Sequence, residues 1–235
     1  MPAYYPLMLD LRGRDAIVIG GDSVAAGKAA TLAASGAQVH ALSPTYCAEM
    51  IQLAEQQQVT LEYKAYKPGD LADAFVVVAA TNDRQLIKAI WSETQERGQL
   101  VNIVDVPQYC NFIVPSILRR GQLTIAVSTE GASPGLAKRI RHELEEHFPP
   151  TYGTYIQLAS IVRKHLRTNG VSYQRRDDFF GDFFDSDVLT QIVSGNVEQA
   201  IATTEDILQR YDIALPASDI AAELQEDKRY VNSNA

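Results

Sequence analysis

Asp105 is the residue of this chain best placed to handle protons. It closes the apolar run Leu100–Asp105 (LVNIVD), and Arg119, Arg120, Lys138, Arg139 and Arg141 follow soon after it. A carboxylate at the mouth of a hydrophobic strand can accept a proton if its surroundings raise its pKa toward neutrality. The same aspartate, two residues before Pro107, can instead cap a turn. The arginines and lysines behind it suit a ligand carrying several carboxylates or phosphates. Lys138 and Arg141, three apart on a helix, share a face.

A second constellation lies upstream. Gly20-Gly21-Asp22-Ser23-Val24-Ala25 has the G-x-x-x-x-A skeleton of a dinucleotide-binding turn. Gly20 permits the tight turn, small Ala25 lets the following helix pack close to the strand, and the helix start offers amides to a pyrophosphate. Asp22 occupies the central position, where glycine usually lets backbone approach phosphate, and its charge repels that phosphate. The second strand ends Ala41-Leu42-Ser43-Pro44 with no acidic residue, so Ser43, Pro44, Thr45 or backbone groups must hold the ribose. The absence of arginine there favours NAD over NADP. Thr81 and Asn82 stand where an open sheet binds ligands, although Thr81-Asn82-Asp83 also reads as a helix cap. Val104, beside Asp105, completes the set of candidate cofactor contacts.

These residues must be positioned by regular elements. Asp15–Gly20, Gln38–Ser43, Val59–Tyr63, Phe75–Ala80 and Leu100–Asp105 read as short strands. Ser23–Ser35, Tyr46–Gln58 and Arg84–Arg97 read as helices between them. Such alternation predicts a parallel, doubly wound α/β sheet with right-handed crossovers. The pattern then changes. Phe112–Leu118 and Leu123–Ser128 predict a hairpin joined by Arg119-Arg120-Gly121-Gln122. Ser133 and Pro134 then start a helix running to about His147. Helices are expected near Tyr155–Arg167, Arg175–Phe184, Ser186–Ser194 and Val197–Tyr211, and residues 213–235 as a polar, partly helical tail with a disordered end.

With 46% hydrophobic and 21% charged residues, the chain has ordinary globular composition. Its net charge of −8 is unevenly spread: −4 over residues 1–112, +6 over 113–176 and −10 over 177–235. A basic middle in an acidic protein points to a local anion site, whereas nucleic-acid binding needs a broad basic face. No run approaches the ~18 apolar residues of a membrane span. Residues 1–14 have neither a basic start nor a cleavage site, so no signal peptide is expected. Cys47 and Cys110 are expected as free thiols of a cytoplasmic protein. His40, His142, His147 and His165 form no metal-ligand spacing, so no resident metal is expected.

Several segments also resemble a known family. YPLMLDLRGRDAIVIGG, GKAATLAASGAQVHALSP, VVVAATND and the stretch VNIVDVPQYCNFIVPSILRRGQLTIAVSTEGASPGLAKRIRHELE are similar to the precorrin-2 dehydrogenase / sirohydrochlorin ferrochelatase family, the NAD-dependent part of sirohaem synthases. The resemblance covers roughly residues 4–210. It implies a Rossmann-like NAD-binding domain (1–113), a dimerisation region (114–148) and a small all-α, tetrapyrrole-side domain (149–212) before the tail (213–235). It implies dehydrogenation of precorrin-2 to sirohydrochlorin, a homodimer, and open possibilities for Fe²⁺ insertion. Asp105 matches the family's aspartate in an NVVD-x-P motif, the general base there and a contributor to metal insertion. Ser128 matches a pocket-facing serine, which could equally cap the turn, and Asn111 could bond either the strand or the substrate. Arg119, Arg120, Lys138 and Arg141 are the candidates for carboxylate contacts; Arg163, Lys164 and Arg167 are further ones in the helical region. The family pattern G-G-G-x-V-A-x-R-K is Gly20-Gly21-Asp22-Ser23-Val24-Ala25-Ala26-Gly27-Lys28 here, lacking the third glycine and the arginine. These departures bear on cofactor affinity and leave the fold expectation unchanged. No methyltransferase-like region follows, so methylation is expected from another chain. Two rival expectations are a chelatase without dehydrogenase activity and a non-catalytic tetrapyrrole carrier.

Overall fold

A computed structural model of the chain describes residues 4–233. The chain divides into two compact units, the first ending at Val114 and the second beginning at Pro115. In the first unit, five strands form one parallel sheet: β1 (Asp15–Ile19), β2 (Gln38–Leu42), β3 (Val59–Glu62), β4 (Val76–Ala79) and β5 (Leu100–Ile103). Their spatial order is β3-β2-β1-β4-β5. The chain therefore winds outward to β3 and returns beside β1, placing the change of direction between β1 and β4. Ligands of open α/β sheets bind at the carboxyl ends of the strands at such a point.

The expected doubly wound sheet is present, and alternation along β1 explains its layers. Ala16 and Val18 pack with helix α1 (Ser23–Ala33) and helix α2 (Ala48–Glu55), in a core that includes Ala25, Ala29 and Met50. Ile17 and Ile19 face the other side, with Leu71, Val77 and Ile90 of helix α3 (Arg84–Arg97). Helix α2 is shorter than the 46–58 expected, because Tyr46 and Cys47 belong to the turn after β2.

No helix links β3 to β4. The connecting segment is instead tied down by a buried carboxylate on α3 and by Gln99, whose Nε2 donates to the Leu71 and Ala74 carbonyls. Glu93 is 8% exposed and accepts hydrogen bonds from Tyr66 Oη (2.6 Å), the Gly69 amide (2.9 Å) and the Leu71 amide (3.2 Å). Arg97 Nε adds an ion pair at 3.3 Å. Burial alone would raise the Glu93 pKa, but these donors outweigh it and hold the carboxyl below its usual range. Burial and the facing carboxylate push the Tyr66 phenol well above its usual value.

The second unit opens with a two-stranded antiparallel hairpin, β6 (Ser116–Arg120) and β7 (Leu123–Val127). Arg119 and Arg120 lie inside β6, so the connection is only Gly121-Gln122, shorter than the expected four-residue link. Strand β6 starts at Ser116 and not at Phe112, because Phe112 is held against the first sheet: its carbonyl accepts from Asn102 Nδ2 at 3.1 Å. Helix α4 (Pro134–His147), N-capped by Ser133, packs on the hairpin. Helices α5 (Tyr152–Thr168), α6 (Tyr173–Asp185), α7 (Val188–Val193), α8 (Val197–Arg210) and α9 (Ala217–Ser233) enclose a core around Leu158, Val162, Phe179, Phe183 and Leu208.

The expected polar tail is corrected by α9. Ile213, Leu215, Ile220 and Leu224 are buried in the helical core, and Glu223 meets Lys164 Nζ at 3.0 Å. The apolar positions are sparse, but Ile220 and Leu224 are four apart and fall on one stripe. Part of the expected disordered end, residues 234–235, lies outside the described residues.

Replacing Glu93 by leucine leaves three donors without their acceptor, the Leu71 amide among them buried, and should destabilise the protein by about 3 kcal/mol in urea unfolding. Because the folded pKa of Glu93 is depressed, its contribution is full above the ordinary glutamate pKa and is lost as pH falls through the folded value. The difference between wild type and Glu93→Leu should therefore shrink on acidification. A constant gap down to the acid transition would contradict this.

Candidate functional site

The turn after β1 is built from two close approaches. Gly20 has φ +136°, and a Cβ there would lie 2.9 Å from the Ala80 carbonyl oxygen at the end of β4. A Cβ on Gly21 would lie 1.9 Å from the Thr45 carbonyl oxygen, so this position accepts no side chain. The loop after β2 is locked against Gly21 by the Cys47 amide, which donates to the Gly21 carbonyl at 2.7 Å. Tyr46 fixes the same loop. Its hydroxyl accepts from the Ser43 amide at 3.0 Å and donates to the carbonyl oxygens of Ala41 and Glu62. Burial pushes that phenol up, so it stays protonated.

Asp22 is the N-cap of α1. Its Oδ1 accepts from the Ala25 amide at 2.8 Å, which places a carboxylate at the end of the helix where a phosphate would approach. The amides of Ser23 and Val24 have no acceptor among the described residues, and Asp22, Ser23 and Val24 are exposed. The turn therefore fits a dinucleotide, with two open amides at the positive end of an eleven-residue helix, opposed by one carboxylate. Of the ribose candidates, Ser43 is buried with Oγ against Gly21, whereas Pro44 and Thr45 are exposed. Across the crevice, Thr81 Oγ1 accepts from the Asp83 amide at 3.2 Å, and Asp83 caps α3. Asn82 is exposed with its amide unengaged. The helix-cap reading of this segment thus holds, and the side chain of Asn82 stays open at the sheet edge. Val104 extends the pairing of β5 with β4 through its amide, bonded to the Ala79 carbonyl at 2.9 Å.

Asp105 comes directly after this extension. It has φ +60°, a left-handed conformation that a non-glycine residue rarely adopts, and it leads into the single 3-10 turn Pro107–Tyr109. Its side chain is exposed and makes no hydrogen bond or ion pair among the described residues. The expectation of an apolar enclosure around it is not met within its own unit. A strained backbone that presents an unpartnered carboxylate at the carboxyl edge of a sheet is a pattern found at functional sites. The turn-capping alternative lacks the hydrogen bond it requires.

The residues expected to meet substrate separate into engaged and open groups. Asn111 spends its amide on β5: Oδ1 accepts from the Val101 amide (2.8 Å) and Nδ2 donates to the Gln99 carbonyl (2.8 Å). It serves as a false strand beside an open sheet edge, which corrects its place among the substrate contacts. Arg120 Nε donates to the Phe148 carbonyl at 2.7 Å, closing the end of α4. Arg141 pairs with Glu145 on its own helix, and His142 joins them. Both arginines are thus used inside the second unit. Arg119 is exposed with its guanidinium unengaged, and so is the ammonium of Lys138. Ser128 Oγ accepts from the Glu130 amide at 3.0 Å, the turn-capping alternative, while its own proton stays available.

Sequence reasoning missed two supports of this site. Tyr46 was hidden because a tyrosine opening an apparent helix carries no sign of its partners. Cys110 holds β5 through its Sγ, which accepts from the Ile103 amide at 3.1 Å, and burial raises that thiol's pKa. Both cysteines are free. Among the described residues no group of histidine, cysteine and acidic side chains could hold a metal ion, and no helix is long and apolar enough to cross a membrane.

Comparison with known proteins matches the two units to consecutive parts of one kind of enzyme. Residues 7–116 match a family described as NAD(P)-binding, and residues 120–147 match the sirohaem biosynthesis protein central family. The siroheme synthase of Photorhabdus laumondii is 33% identical over 210 residues, covering 89% of this chain and 45% of its own length. Those of Nitrosococcus oceani and Pseudomonas aeruginosa PAO1 are 31% and 35% identical over 206 and 205 residues, with 44% of each relative covered. The chain spans less than half the length of these relatives. Among solved structures, that of SirC, precorrin-2 dehydrogenase, matches with a TM-score of 0.73 at 29% identity, covering 86% of this chain and 100% of that one. The first unit is accordingly a nicotinamide-dinucleotide-binding domain.

The left-handed backbone at Asp105 has a measurable cost. Asp105→Gly removes the Cβ that disfavours this conformation, so stability in urea should hold or rise by up to about 1 kcal/mol. A clear loss of stability would show that the Asp105 side chain supports the fold.

Proposed function

The chain belongs to the sirohaem synthase family, of which it spans the NAD(P)-binding and central regions, and from that premise we propose that it dehydrogenates precorrin-2 to sirohydrochlorin with NAD⁺. The observation that carries this reading is the likeness to a precorrin-2 dehydrogenase along the whole of that enzyme's chain. The first unit would hold the dinucleotide at the Gly20-Gly21 turn, with the Ser23 and Val24 amides on the pyrophosphate and Pro44 and Thr45 beside the ribose. NAD is preferred over NADP because the 43–47 loop offers no arginine to a 2′-phosphate.

When bound, the nicotinamide ring supplies the acceptor for a hydride. Oxidation removes two hydrogens from the macrocycle, one as hydride and one as a proton. Asp105 receives that proton on a carboxylate oxygen and returns it to water. Nothing in its own unit competes for that oxygen, and the backbone fixes where it points. Precorrin-2 carries eight carboxylates; on the hairpin and α4, Arg119 and Lys138 are open cations for them and Ser128 an available hydroxyl donor. The protein acts in the cytoplasm as a homodimer, the hairpin and α4 supplying the dimerisation surface. Fe²⁺ insertion into sirohydrochlorin is a second activity, with the metal ion as substrate and Asp105 as acceptor of the displaced pyrrole protons.

Asp22 favours one alternative. A carboxylate at the start of α1 weakens dinucleotide binding, so a chelatase that has lost dehydrogenation is the second reading.

Mixing the protein with precorrin-2 and NAD⁺ should generate NADH absorbance. Absence of that signal alongside retained Fe²⁺ insertion selects the second reading. Asp105→Asn should lower turnover by about 100-fold or more while NAD⁺ binding stays unchanged. Asp22→Gly removes the repulsion and should tighten NAD⁺ by about tenfold in calorimetry. Unchanged or weaker affinity would show that the carboxylate does not oppose the cofactor.

A further inference from the structure

Residues of helices α5 and α6 line an open cleft of about 190 Å³. It is lined by Arg163, Arg167, Tyr173, Arg176, Asp177 and Phe180. Arg163 and Arg167 are four apart on α5 and share a face. Arg176 comes from α6, its Nη1 anchored on the Val171 carbonyl at 2.8 Å. The Arg163 guanidinium lies over the Phe180 ring, 5.4 Å from its centroid. Three guanidinium groups thus converge on one small space with a single carboxylate.

None of the three arginines forms an ion pair among the described residues. Their neighbours differ: Arg139, Arg141, Lys164, Arg175 and Arg210 are all paired with carboxylates. Acidic partners are not scarce, since residues 177–235 carry a net charge of −10. Gathering three like charges is unfavourable unless an anion joins them, and guanidinium forks bind carboxylate and phosphate with two parallel hydrogen bonds. One aspartate against three arginines leaves a charge of +2 to be matched. Tyr173 supplies a flat apolar wall, while Phe180 lies between the Arg163 guanidinium and the Phe184 ring.

We infer that the α5–α6 cleft is a binding site for a small, flat organic dianion of the aromatic dicarboxylate class. Arg163, held over the Phe180 ring, and Arg167 grip its two acid groups from α5, Arg176 approaches from α6, and the ring of Tyr173 covers one face.

The test uses the full chain and benzene-1,3-dicarboxylate as probe, with benzoate and inorganic phosphate for comparison, in titration calorimetry. One equivalent of the dicarboxylate should bind, more tightly than either comparison ligand. Arg163→Gln and Arg167→Gln, both on exposed helix surface, should each weaken it by about tenfold without shifting the thermal midpoint. Asp177→Asn should tighten it. Saturating NAD⁺ should leave it unchanged. No binding, binding that survives both arginine variants, or loss of binding under NAD⁺ would each overturn the site. Phosphate binding as tightly as the dicarboxylate, or no tightening in Asp177→Asn, would overturn the assigned ligand class.

Discussion

The Gly21 position brings two backbone segments closer than any side chain permits, and much of the nucleotide end of the first unit follows from that contact. A Cβ there would sit 1.9 Å from the Thr45 carbonyl oxygen. The loop after β2 can therefore close over the turn after β1, where the Cys47 amide reaches the Gly21 carbonyl and Tyr46 secures Ser43. On the opposite side Gly20 brings the turn against the end of β4. Three strand ends are thus drawn together around one turn, and α1 leaves it with its first amides facing outward. Where the chain approaches itself this closely, adaptation to a ligand has to come from the exposed rim at Pro44, Thr45, Ser23 and Val24.

Two aspartates show opposite uses of a carboxylate. Asp22 satisfies an orphan amide of α1 and so stabilises the helix it begins, by an amount typical of N-caps, roughly 1 kcal/mol. The same charge opposes an anion at that helix end. Asp105 has no such bond and sits in a backbone conformation that costs free energy. Stability therefore favours Asp22 and disfavours Asp105. A residue in a disfavoured conformation without a partner in its own unit is the pattern on which the proposal for Asp105 rests.

Legibility from sequence followed the range of the interaction. The five strands, their parallel direction and helices α1, α3 and α4 were readable because periodicity and caps are local: Asp83, Ser133 and Gly98 lie beside the helices they begin or end. The glycine turn and Asp105 were readable as positions, and family resemblance supplied the chemistry. Long-range partners were not. Nothing near Asn111 announces that its amide mimics a strand against β5, and nothing near Arg120 points to the Phe148 carbonyl. The Ile220 and Leu224 stripe was masked by acidic neighbours. The three clustered arginines were visible only as separate basic residues, because convergence depends on how α5 packs beside α6.

The segment between β3 and β4 has a consequence for how the molecule comes apart. One face of the sheet is covered by α1 and α2, the other by α3 and a stretch without regular structure that hangs on Glu93 and Gln99. Releasing the Glu93 side chain would free the Tyr66 hydroxyl and the Gly69 amide, while Gln99 Nε2 still holds the Leu71 and Ala74 carbonyls. Partial opening should therefore start there, making this stretch a natural entry point for proteolysis and the earliest place for protected amides to exchange with solvent.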